Sequence, residues 1–372
     1  MGKTAYLTFD NPKLKQTVEQ WKVESPHGAC FAMVAEADKH NVPTLQSLFN
    51  DQGYPLIGAM FPELIVNARF ERNGVILLHL ENKPYYNIVS MSSNEHIDKA
   101  ISEWSNAILQ NLPPRGQENS LFLVMDSMIP NVATILDRIY LQLSNKVQYF
   151  GVNAGSETFQ PASCIFDNHQ WVGNSFLSVL FDQHPGGVLS HNYREPAEQI
   201  TATSTQGNLI SSIEWRPAFE VYQELVKKQY GVAITKDNFY EYGVHFPFGI
   251  SRMDGEPLVR IPVALQEDGS LYCVGEVPPN TLLTLLDAIH PGSLETVDCL
   301  ARNMDHSDNS LCFYCAGRRM HLGDMANGEL SSLGQRLQGQ IVGALSLGEI
   351  GSSSSGGYPL FHNAALVMSP LQ

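Results

Sequence analysis

Residues 57–80 read IGAMFPELIVNARFERNGVILLHL: an apolar residue and a glycine, a glutamate five positions on, then Asn73-Gly74 and the apolar run Val75 to Leu80. The same order returns twice. Phe150-Gly151 leads to Glu157, then to Asn174-Ser175 and the run Phe176 to Phe181. Val342-Gly343 leads to Glu349, then to His362-Asn363-Ala364 and Ala365 to Met368. A short apolar run entered through Gly or Asn reads as a strand after a turn. Recurrence in both halves of the chain points to a fold built by duplication, with pairs of strands facing a common region. The glutamates fall on the connections, where binding groups gather.

Outward from these copies, strand and helix patterns alternate. Ala29 to Ala35 (ACFAMVA) and Leu121 to Met125 read as buried strands. Ile97, Ala100, Ile101, Trp104 and Ile108 recur at helical spacing, as do Val132, Ile135, Leu136, Ile139 and Leu143. In the second half, Pro217 to Tyr230 reads as a helix opened by proline and closed by Gly231. Leu258 to Leu265 and Leu271 to Val274 read as a hairpin turning at Asp268-Gly269. Asn280 is expected to cap a short Leu-rich helix, Leu311 to Cys315 to form a strand, and Asp324 to Leu337 a helix. The stretch 351–357, GSSSSGG, reads as a flexible spacer or a lid. The class is mixed α/β, helices layered on sheets, with two domains expected at 25–210 and 211–370 and the boundary near 205–215.

Composition excludes several functions. A net charge of −15 with no basic run argues against a nucleic-acid surface. No apolar stretch approaches the length of a membrane span, and the opening residues MGKTAYLTFDNPKLKQ carry no secretory signal pattern. Six cysteines in 372 residues do not make a disulfide framework, so a cytoplasmic protein with reduced thiols is expected. Gly-x-Ser-x-Gly, His-Glu-x-x-His, P-loop and Gly-x-Gly-x-x-Gly motifs are all absent, which moves weight from catalysis toward binding.

Several side chains remain that could hold a ligand. Cys312-Phe-Tyr-Cys315, with Cys299 upstream, has metal-like spacing and could bind an iron–sulfur cluster or zinc. On a strand, however, the two thiols would point to opposite faces and serve as buried structural cysteines. Arg318 follows a Gly turn and suits a carboxylate or propionate, or else an ion pair with Glu349 or Glu329. Arg260, inside an apolar run, needs a partner or a ligand in its place. Of twelve histidines, His27, His245 and His362 lie beside strand-like segments and are candidate axial iron ligands or hydrogen-bonded structural groups. Glu157 and Glu349 could serve as acid and base on a small amide or amino-acid-like substrate.

The chain resembles the FIST proteins (F-box and intracellular signal transduction), across both the FIST N and FIST C regions. Ile200-Thr201, Glu214 to Tyr222, Val259-Arg260, Asp268 to Leu271, Cys315-Ala-Gly-Arg318, Gly343 to Gly351 and His362-Asn363 with Leu366-Val367 occur in the family's order. Ile57-Gly58, Phe150-Gly151 and Ala154-Gly155 match its earlier glycines. The resemblance spans roughly residues 29–369. It implies a cytoplasmic sensory module, not an enzyme, that binds a small-molecule or gas ligand. The signal would pass to a histidine kinase or to a diguanylate cyclase or phosphodiesterase, in two-component or cyclic-di-GMP control of biofilms. Stand-alone members that bind haem and sense nitric oxide make haem the expected cofactor, with a homodimer among the expected assemblies. Arg260, Arg318, Glu349, Glu157 and Asn363 are the expected ligand-binding residues.

Overall fold

The computed structural model describes residues 3–371 apart from 92–96, 114–117, 254, 288, 291, 305–308, 338 and 353–356. Most of the GSSSSGG stretch therefore lies outside the described residues, as do 94–96 ahead of the helix Ile97–Asn111.

The three sequence copies fold as three units of one construction. In the first, strand Ala29–Ala35 leads through helix Val42–Asp51 to the parallel strand Leu56–Phe61, and Val75–Leu80 returns antiparallel on the other side of Ala29–Ala35. The second repeats this with Asn119–Asp126, helix Val132–Leu143, Gln148–Ala154 and Ser175–Asp182. The third uses Asn309–Cys315, helices Ala316–Leu322 and Met325–Arg336, Gln340–Ser346 and Leu366–Pro370.

The repeated glycines sit at one register position. Gly58 lies opposite Ala32, Gly151 opposite Leu123 and Gly343 opposite Cys312. A Cβ at these glycines would come within 2.3, 2.1 and 1.7 Å of the carbonyl oxygen of the facing residue. Close approach of two backbones, not a turn, is why the sequence keeps glycine there.

Each unit then lends a hairpin to a neighbour. Leu64–Val66 and Arg69–Glu71, from the first unit, extend the sheet of the third. Ile165–Asp167 and Trp171–Val172, from the second, extend the first. Glu349–Gly351 and Leu360–His362, from the third, extend the second. An outer strand completes each sheet, namely Thr4–Leu7, Tyr85–Ser90 and Val188–Ser190, giving among the described residues three six-stranded sheets of the same order. The loans close a ring around one shared apolar core, in which Phe122 touches Phe31, Phe150 and Phe313, drawing rings from all three units.

The glutamates are not equivalent, contrary to the sequence pattern. Leu64, Ile165 and Glu349 occupy matching places, each opposite the residue just after the repeated glycine. Glu63 precedes that place by one residue, and Glu157 lies on the loop after Gln148–Ala154.

A fourth sheet, inserted between units two and three, has eight antiparallel strands between residues 200 and 285 and is backed by helix Ala218–Tyr230. The region 205–215 is the turn and second strand of its hairpin Ile200–Gln206/Leu209–Ile213. Two of the other sheets take strands from both sides of that region. The expected helix after Asn280 is instead strand Thr281–Leu285, paired on both sides by Ile200–Gln206 and Phe248–Ile250. Asn280, at φ +59°, makes the turn into it. A five-residue apolar run carries no period long enough to separate strand from helix, and the open edges of the sheet decided it. Among the described residues no helix is long and apolar enough to cross a membrane.

Candidate functional site

Two cavities lie at opposite ends of the parallel strands. The one at the amino ends, about 370 Å³, has Phe31, Phe122 and Phe150 in its wall and Lys3, Thr4, Pro370 and Leu371 at its edge. His184 borders it with its ring fully used: Nδ1 accepts from the Gly186 amide at 3.0 Å and Nε2 donates to the Pro370 carbonyl at 3.1 Å. Burial pushes this imidazole down to about 4, so it is neutral.

The second cavity, about 280 Å³, lies at the carboxyl ends of the strands of units two and three, where open α/β sheets place their ligands. Unit three supplies Cys315, Ala316, Gly317, Met320, Leu347 and Asn363. The fourth-sheet lobe supplies Tyr240, Val244, Ile261, Pro262, Val263 and Val274, and unit two contributes Glu157 and Phe159 from its loop. Gly317 lets the lobe close, since a Cβ there would lie 2.6 Å from Ile261 Cδ1.

Three of the residues singled out from sequence meet here: Glu157, Cys315 and Asn363. Asn363 donates through Nδ2 to the Val274 and Val259 carbonyls at 2.8 and 3.1 Å, so it pins the lobe to unit three while facing the cavity. The Ala364 amide donates to Cys315 Sγ at 3.1 Å, and burial with the nearby Glu349 carboxylate pushes the thiol pKa up. Glu157 is exposed at the mouth. Shielding by surrounding protein raises its carboxyl pKa; Arg319 opposes this, and the carboxylates of Glu63 and Glu36 add to it.

Glu349 does not line the cavity; it lies wholly buried behind Cys315. It accepts from Ser346 Oγ at 2.6 Å and from the Ala365 amide at 3.3 Å, and burial lifts it to about 8. Enclosed in this way, it cannot share a substrate with Glu157, and the acid–base pair read from sequence does not form.

Neither arginine lines the cavity. Arg318 is consumed by a buried ion pair, with Nε and Nη2 donating to Glu329 at 2.8 and 2.6 Å and Nη1 to the His191 carbonyl at 2.8 Å. Burial alone would lower its pKa, but Glu329 outweighs that and holds it up. Tyr314 donates to the same carboxylate at 2.6 Å. Arg260 satisfies its need for partners with backbone, donating to the carbonyls of Glu276, Val259 and Phe361, and burial brings it down to about 10.

The metal candidates scatter. His27 is exposed on the turn before Ala29–Ala35. His362 is buried with neither ring nitrogen partnered, and burial drives its pKa down. His245 is half-buried and faces His321. None of the three lines either cavity. Cys312 packs in the helix-side core while Cys315 faces the cavity, as strand alternation requires, and Cys299 lies on the outer helix Glu295–Asn303. Among the described residues no three His, Cys, Asp or Glu side chains converge as metal ligands, so the iron–sulfur set does not assemble.

Sequence reading missed the mouth. Phe159, Tyr240 and Met320 ring it with 41, 70 and 61% of their surface exposed. Phe159 also holds φ +51°, uncommon for an aromatic residue and kept only where surroundings enforce it. No periodic signal marks these positions. The one hint was the loop opened by Gly155, beyond a strand end.

The fold is a mixed α/β ring with an apolar cavity under an added lobe. The chain belongs to the FIST family: the FIST N domain matches residues 28–216 and the FIST C domain residues 218–352. No curated protein matches it. Membership points to a sensory signalling protein.

Proposed function

We propose that the 280 Å³ cavity is the sensory site and that its ligand is a small, largely apolar molecule bearing an amine or other donor. The carrying observation is the wall itself: Ile261, Pro262, Val263, Val274, Leu347 and Met320 are apolar, Glu157 is the one acid among the described residues that line it, and exposed aromatics wait at the mouth for a contact. Because the cavity is shared by the lobe and unit three, a ligand that fills it favours the closed arrangement of the two. That shift in population is the signal, handed to a histidine kinase or a cyclic-di-GMP enzyme that binds the two arrangements differently.

Thermal shift with matched probes tests the reading. Small aromatic amines raise the melting temperature and the corresponding carboxylates do not; Glu157→Gln narrows that difference and Val263→Trp, which fills the cavity, removes the response. Equal response to both probe classes, or one untouched by Val263→Trp, would sink it. Haem with nitric oxide, the ligand pair implied by the family resemblance, would need an imidazole facing this space. Titration with haemin settles that separately: a Soret band lost on replacing one of His27, His245 or His362 would replace the amine reading.

A further inference from the structure

His245 and His321 approach each other across the seam between the fourth-sheet lobe and unit three, with Nδ1 to Nδ1 at 3.1 Å. His245 ends the short helical turn Gly243–His245 of the lobe, and His321 stands on helix Ala316–Leu322. Their sequence neighbours Val244 and Met320 both line the cavity.

The spacing is that of two ligands on one ion. With metal–nitrogen bonds of about 2.0–2.1 Å, two nitrogens at adjacent coordination positions stand about 2.9–3.4 Å apart. Each neutral imidazole carries one N–H and one lone pair, and turning both lone pairs inward across this distance places them on one ion. Burial lowers the pKa of both rings, and the charged groups acting on them are Glu241 for His245 and Arg318 for His321.

We propose that His245 and His321 form a two-histidine site for a divalent transition-metal ion that ties the lobe to unit three. Imidazole donors select zinc, nickel, copper or cobalt over magnesium or calcium, which demand oxygen. Among the described residues no third His, Cys, Asp or Glu is in ligating position, so water completes the shell, reaching it past half-buried His245. The site is independent of which molecule fills the cavity.

The test is calorimetric titration of the untagged full chain with Ni²⁺ and Zn²⁺, repeated with His245→Asn and His321→Asn after circular dichroism confirms their fold. One ion per chain, weakened roughly tenfold or more by either substitution, is the expected result. No binding by the parent protein, or binding that neither substitution alters, overturns the proposal and leaves the pair as a hydrogen bond. Should a variant fail to fold, Cu²⁺ paramagnetic resonance of the parent protein decides: coupling to two imidazole nitrogens supports the site, and coupling to fewer rejects it.

Discussion

Glu349 shows how a buried carboxyl sets a pH dependence. Its folded pKa of about 8 lies above the ordinary 4.5, so between those values the folded chain holds a proton that the unfolded chain has released. Stability is therefore fullest below about pH 4.5 and falls as pH rises through 8, by a few kcal/mol in all. Glu349→Gln, which keeps a neutral group, should flatten that slope in urea melts between pH 5 and 9; an unchanged slope would exclude Glu349 as its source. Arg318 makes the opposite case: Arg318→Met strands Glu329 in the interior and should cost about 3–5 kcal/mol. Denaturant midpoints measure it. At this scale the sequence was half legible. An arginine in an apolar setting announces a need for partners, but whether carbonyls, a glutamate or a ligand meet it depends on residues up to 127 positions away, as with Arg318 and His191.

Elements were read best where period and length agreed. Val132–Leu143 carries five buried apolar residues on one face, and its 12 residues leave no rival assignment. Thr281–Leu285 had too few residues for any period to show, and pairing on both edges made it a strand. The loaned hairpins were invisible, because nothing local tells Leu64–Val66 to seek Gln340–Ser346 some 280 residues later in the chain. The repeated glycine was legible as a motif, but the close backbone approach that requires it was not. That close approach predicts that Gly343→Ala, forced against the Cys312 carbonyl, costs about 1–3 kcal/mol and loosens the pairing of the two strands. Thermal denaturation and amide exchange along Asn309–Cys315 would register it; an unshifted melt would mean the strands can separate cheaply.

Across the whole molecule, the loans make each sheet depend on chain from another unit. A fragment covering 1–210 lacks Glu349–Gly351 and Leu360–His362, which close the edge of the second sheet, while 211–372 lacks Leu64–Val66 and Arg69–Glu71 from the third. Neither should fold alone, and the two expressed together should assemble. Dispersed amide spectra from either fragment by itself would refute this. The full chain should likewise unfold as one cooperative transition through units one to three, read by calorimetry. Duplication was visible in the sequence from its three copies; the ring was not, since exchange between copies is a property of pairing and not of any one segment.

The edge of the amino-end cleft has a topological consequence. Thr4 Oγ1 donates to Gln340 Oε1 at 2.8 Å, and Lys3, Thr4, Pro370 and Leu371 border the same opening. The beginning and end of the described chain thus border one opening on a closed circuit of three look-alike modules. Which module comes first is then an accident of where the polymer is cut. A circular permutant, its old ends spliced by a short glycine–serine bridge and new ones opened at Gln206-Gly207, should reach the same native architecture from a reordered gene.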